Sequence, residues 1–365
     1  MNRVFKLFFV VCLLYSCDGN KIDNDTSPDG FDRTMLLSNW VDDIIIPAYA
    51  DFYNSLLTLN TSINIFVENP DLNLLNIVSD DWLNSYKKWQ TVEMFDIGLA
   101  EVINYKGKMN IYPVNTDLIL NNVMNGVFDI NNNNNFTARG FPAIDFMIHG
   151  LGDSETDILS LYQDDINYSN YLVELINIMV SNTELIITDW DSSRDSFINS
   201  TGNTATSSIN KMINDFIYYF EKGLRANKVG IPAGVFSNSS LPNNVEAYYK
   251  RDVSKELLLE ALTASKNFFR GKAFNNETLG LSIEDYLNFL PSSSDNNLAS
   301  EILSQFTLTE NQISLLNNDF VYQIETNNTE MLYTYDSIQL LVVLFKVDML
   351  QALSISVDYV DADGD

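Results

Sequence analysis

The spacing of apolar side chains constrains this chain more than any other feature. Phe52, Leu56, Leu59, Ile63 and Phe66 recur at steps of four, three, four and three. That places them along one stripe of an α-helix and predicts a helix from about Pro47 to Pro70 with one buried face. The same rhythm returns in Trp82, Tyr86, Trp89 and Glu93, and again in Tyr335, Ile338, Val342, Phe345 and Met349. Few segments alternate with the period of two that a half-buried strand requires. Past the N-terminal region the prolines act as punctuation. Pro47 and Pro142 sit where helices should begin, and Pro70, Pro113, Pro232, Pro242 and Pro291 fall in expected loops. The expected fold class is all-α.

With 365 residues, of which 46% are apolar, the chain can bury more than one helical layer. A polar break rich in Ser, Thr, Asn and Gly, Ser192 to Ser208, divides it nearly in half. We expect two helical-bundle domains, an N-terminal one over 31–195 and a C-terminal one over 205–365, each able to form a four-helix bundle with crossing connections. Helices from the two halves could exchange across that boundary. No short fixed period repeats, which argues against a solenoid.

Charge and rare residues narrow the chemistry. Acidic side chains outnumber basic ones 49 to 21, a formal charge of −28, so a nucleic acid backbone would be repelled and no nucleic acid partner is expected. A single histidine, His149, excludes multi-histidine metal sites, and two cysteines cannot build a thiolate cluster. Any metal, iron or another divalent cation, would have to be held mainly through carboxylates. No phosphate loop, nucleophile elbow or His-Glu-x-x-His sequence is present.

The first sixteen residues combine a short basic start, Arg3 and Lys6, with an apolar run from Leu7 to Leu14 that is too short to span a bilayer. This reads as a signal peptide over 1–16. It ends in Leu14-Tyr15-Ser16-Cys17, which resembles a bacterial lipobox and makes Cys17 the expected lipidation site. The polar stretch 17–30, carrying Asp18, Asp23, Asp25 and Asp29, reads as a tether. The expected location is the cell envelope, lipid-anchored in the outer membrane and facing the periplasm or the surface. Beyond residue 17 no run approaches membrane-spanning length. The acidic end, Asp361 to Asp365, imitates half a calcium loop but lacks its later glutamate and reads as a solvated tail.

Several segments follow one another in a distinctive order: Ile46-Pro47-Ala48-Tyr49 with Phe52; Trp82 through Trp89 to Glu93 and Gly98; Arg139-Gly140-Phe141-Pro142-Ala143-Ile144-Asp145; and Lys228-Val229-Gly230-Ile231-Pro232. Val245-Glu246-Ala247-Tyr248-Tyr249 with Ser254, Phe269-Arg270-Gly271 and the ending from Val357 continue the series. Together they resemble the imelysin-like family over nearly all of the chain after the signal. The resemblance implies two related helical bundles with a site between them, in an envelope lipoprotein. Members of that family have been described as insulin-cleaving membrane proteases, as iron-regulated proteins and as parts of iron-uptake systems.

The family motif Gly-x-His-x-x-Glu has its frame at Gly140 to Asp145, and the chain departs from it at both functional positions. A histidine and an acid three residues apart share a helical face and can ligate a metal or share a proton. Pro142 can do neither, and Asp145 is one methylene shorter than glutamate. One reading of the frame is structural: Gly140 permits a turn, Pro142 opens a helix and Asp145 sits near its positive end. The other keeps Asp145, with Glu93, Gly140 and Trp89, as the lining of a ligand cleft. Glu93 ends an aromatic stripe, where it is either solvated or in need of a buried partner. His149, four residues beyond Asp145 and just before Gly150, reads as a last-turn residue near free carbonyls, with a ligand role as the alternative. The expected function is a non-enzymatic binding protein connected with iron or nutrient acquisition, whose partner is a small ligand or an envelope protein. The alternative is a metal-dependent peptidase using Asp145, Glu93 and His149.

Overall fold

The computed structural model describes residues 29–290 and 297–358. The expected signal peptide, Cys17, nearly all of the tether, Pro291 and the acidic end lie outside them. α1 (Arg33–Ser38) passes through a π-helical stretch, Asn39–Ile45, directly into α2 (Ile46–Glu68), and α3 (Leu72–Val92) packs along it. Short helices follow: α4 (Leu99–Val102), α5 (Tyr105–Met109), α6 (Thr116–Asn125), α7 (Gly140–Asp145) and α8 (Glu155–Asp164). The long α9 (Ile166–Ile198) then packs against α2.

The second half begins with α10 (Ser208–Tyr218), which runs through a π-helical Tyr219–Gly230 into α11 (Ile231–Ala233). α12 (Ser254–Phe269), α13 (Ile283–Phe289), α14 (Leu298–Ser314), α15 (Phe320–Val343) and α16 (Leu350–Leu353) complete it, α15 reaching α16 through a π-helical Leu344–Met349. Among the described residues the one β pairing is an isolated antiparallel bridge between Lys272 and Leu279.

The predicted stripes become the core. Phe52, Leu56, Leu59, Ile63 and Phe66 are all fully buried, as are Trp82, Tyr86, Ile338, Phe345 and Met349. Helix starts are fixed by side-chain caps: Asp71 accepts from the Leu74 amide, Asp165 from Asn167 and Asp319 from Tyr322. Two prolines sit differently from expectation. Pro47 does not open a helix and Pro232 is not in a loop; each follows a π-helical stretch inside a continuous helical path. The wider π turn disrupts the regular i to i−4 ladder there, so a residue without an N–H is tolerated. Both prolines lie in an Ile-Pro-Ala sequence, one in each half.

The buried apolar side chains form a single continuous cluster running through both halves. α9 extends to Ile198, past the expected end of the first domain at 195. α12, from the second half, packs against α3 as well as α14, and at the chain start Phe31 stacks on Tyr286 of α13 at 4.2 Å. The polar break is therefore a connection between two halves that share a core. By length and composition α9 could cross a membrane, with mean hydropathy 1.2, which the sequence reading did not anticipate. Half of that window is buried inside the fold, as a core helix requires.

Candidate ligand cleft between the halves

The Gly140 frame is built by close approach. Gly140 has φ +76°, and a Cβ placed on it would lie 2.1 Å from the Met109 carbonyl oxygen at the end of α5. Only glycine permits both the left-handed backbone and the contact. α7 begins at Gly140, so Pro142 is its third residue and not its first. Phe141 then stacks on Tyr86, with centroids 4.4 Å apart and planes 3° apart, and its carbonyl accepts from Trp82 Nε1 at 3.2 Å.

Pro142 and Asp145 line a cavity of about 570 Å³ between the halves, with Tyr112, Asn244 and Tyr248 among its other walls. Asp145 is 1% exposed, and both of its oxygens are engaged. Its Oδ1 accepts from His149 Nδ1 at 2.9 Å and from the Lys250 amide at 3.0 Å, and its Oδ2 accepts from the Tyr249 amide at 2.9 Å. Those amides lie between Ala247 and Arg251, two non-glycine residues held at positive φ. Asp145 thus pins a strained loop of the second half onto the first.

His149 is not capped by free carbonyls. It lies in a π-helical turn, Phe146–Gly150, with its ring edge-on to Trp82. With Asp145 accepting, Nδ1 carries a hydrogen, and in the neutral ring Nε2 takes the Ser79 hydroxyl at 2.8 Å. The order Asp145, His149, Ser79 imitates a hydrolytic triad. Yet Ser79 is 7% exposed in the middle of α3 and does not line this cavity, so the chain of bonds acts as a tie between α3 and α7.

Glu93 is not solvated. It is 5% exposed at the end of α3, with Lys228 Nζ 3.6 Å from its Oε2. The same ammonium donates to both oxygens of Glu246 at 2.7 Å. Asn110 Nδ2 donates to Glu246 at 2.9 Å, its Oδ1 accepts from Tyr86 at 2.6 Å, and Gln90 reaches Glu246 at 3.3 Å. Oε2 of Glu93, Oε1 of Gln90 and the Tyr219 hydroxyl are buried without a hydrogen bond. Burial, then the charges of Glu246 and Glu93, holds the phenols of Tyr86, Tyr112 and Tyr219 well above their usual range.

Three of the four residues expected to line the site do not line this cavity. Glu93 belongs to the buried charge cluster. Trp89 is 1% exposed and packs among Phe52, Tyr105 and Phe141 as core, and Gly140 serves the packing of α7. Lys228, Glu246 and Asn110 were not singled out by sequence reasoning. Their available signal was that Lys228 and Glu246 belong to segments carrying the family resemblance.

A family model described as Imelysin matches residues 45–344, most of the chain. The chain belongs to the imelysin family. Among solved structures, this imelysin is similar to an imelysin-like protein from Psychrobacter arcticum, at 18% identity and TM-score 0.70, covering 90% of this chain and 97% of that one. It is also similar to a protein described as an iron-regulated protein A precursor from Parabacteroides distasonis, at 16% identity and TM-score 0.70, covering 87% and 94%. At these identities the likeness shows the shared all-α fold. A comparison with curated proteins finds no match.

The residues of this imelysin do not fit a metal at the family frame. Pro142 has no donor atom, and both oxygens of Asp145 are already engaged. Between Glu93 and Glu246, where a divalent cation could sit, the chain places its own ammonium, Lys228. Among the described residues no group of three His, Cys, Asp or Glu side chains converges as a ligand set.

Proposed function

We propose that this imelysin is a non-enzymatic binding protein of the cell envelope, anchored through a lipid on Cys17, and that it holds a ligand connected with iron or nutrient acquisition in the cleft between its halves. One observation carries the reading. Where the family motif has a histidine and an acid free to work together, this cleft has a proline and a carboxylate consumed by three hydrogen bonds within the protein. The cavity beside them, about 570 Å³, is of a size that suits small ligands. The description of the Parabacteroides protein as an iron-regulated protein supports the connection with iron.

The expected result of incubating the purified protein with unfolded protein substrates is no chelator-sensitive cleavage. Cleavage that a chelator stops and Asp145→Ala abolishes would promote the peptidase alternative. The anchor is tested separately: Cys17→Ala should move the protein from the membrane to the soluble fraction, because a lipid chain adds about 0.8 kcal/mol of membrane affinity per buried methylene. Retention of the variant in membranes, with no acyl chain on the wild type by mass spectrometry, refutes the anchor.

A further inference from the structure

Tyr112 and Asn244 also wall a second cavity, of about 470 Å³, that neither the family frame nor the buried carboxylates occupy. It is assembled from both halves, with Asn104, Lys106 and Asn110 on one side and Lys222, Asn227 and Asn244 on the other. In a chain with 49 acidic and 21 basic side chains, this wall reverses the balance, since one acid, Asp96, faces the two lysines. Burial raises that carboxyl against the pull of Lys106.

Lys106 is the uncommitted cation. Its Nζ lies 5.8 Å from the ring centroid of Tyr218 and 5.5 Å from that of Tyr219, and no carboxylate of the described residues comes within ion-pair distance. The rings steer the ammonium without neutralising it. Gly223 leaves room for the Tyr219 ring, since a Cβ there would sit 2.7 Å from it. Lys222, by contrast, already pairs with Glu221 at 3.0 Å. Beside Lys106, the amides of Asn104, Asn227 and Asn244 offer donors and acceptors in equal number, a lining suited to hydroxyl groups, which both donate and accept.

We infer that this second cavity binds a small hydroxycarboxylate, with a carboxylate on Lys106 Nζ and hydroxyls on the asparagine amides. The inference rests on the binding reading of the cleft and names its ligand class. A bare metal cation would meet the ammonium as a like charge, and a neutral sugar would leave Lys106 unpaired. A phosphate would use the donors but waste the amide acceptors.

The test is calorimetric titration of the full chain with citrate as the probe, alongside tricarballylate, which lacks the hydroxyl, and inorganic phosphate. Citrate should bind most tightly. Lys106→Met should weaken it by about tenfold or more, Lys106→Arg should restore part of the loss, and raising NaCl from about 50 to about 500 mM should weaken wild-type binding several-fold. Circular dichroism establishes that the variants are folded, and the salt series on the wild type stands independently of them. Absence of citrate binding by the wild type, equal binding by Lys106→Met, or tighter binding of phosphate overturns the inference. The two readings fail separately: chelator-sensitive proteolysis ends the non-enzymatic reading and leaves this titration decisive, whereas indifference to Lys106 ends the ligand class alone.

Discussion

Replacing Lys228 by methionine should destabilise the protein by about 3–5 kcal/mol in urea denaturation, the cost of leaving buried charge without its counterion. Lys228 is 2% exposed and is the cation shared by Glu93 and Glu246, which are also buried. Methionine fills a similar volume, so the loss reports charge and not a cavity. A further variant separates these causes: adding Glu93→Gln and Glu246→Gln to Lys228→Met should recover much of the deficit. A deficit below about 1 kcal/mol at neutral pH would mean that water reaches the cluster and that the three side chains are not a buried unit. Because Glu93 belongs to the first half and Lys228 and Glu246 to the second, the variant should also loosen the junction that forms the cleft.

Gly140→Ala should cost roughly 2–5 kcal/mol, combining backbone strain at φ +76° with a methyl driven against the Met109 carbonyl. The clash is with backbone, which cannot swing aside as a long side chain can. α7 must therefore move, carrying Phe141 away from Tyr86 and Asp145 away from the Tyr249 and Lys250 amides. Gly126→Ala is the control. Gly126 has a similar φ of +65° at the end of α6, but the nearest atoms to a Cβ belong to the side chain of Asn167, at 3.2 Å. It should cost about 1 kcal/mol. Equal losses at the two positions would show that backbone conformation alone matters and that the approach of α7 to α5 is not tight.

The helical architecture was legible in the sequence because helix formation is read from local periodicity. Side chains at steps of three and four share a face wherever the helix lies, so Phe52 to Phe66 and Trp82 to Trp89 could be assigned to the core before any packing was known. The π-helical stretches were not legible. They arise where packing imposes a wider turn, and the prolines behind two of them were read as a helix start and a loop residue.

The site divides in the same way. That Pro142 can neither ligate nor accept a proton follows from residue identity alone, as does the weakness of a one-histidine metal site. Whether Asp145 was a free ligand depended on amides about a hundred residues away, and sequence spacing does not carry such distances. The buried partner that Glu93 required could be anticipated from its place on an apolar stripe, but its name, Lys228, came only when the second half folded against the first. The tertiary structure likewise made Trp89 a core residue and left Lys106 outside ion-pair distance of any described carboxylate. Periodicity and side-chain chemistry are properties of single residues and their near neighbours, whereas burial and pairing are decided by which distant segments meet.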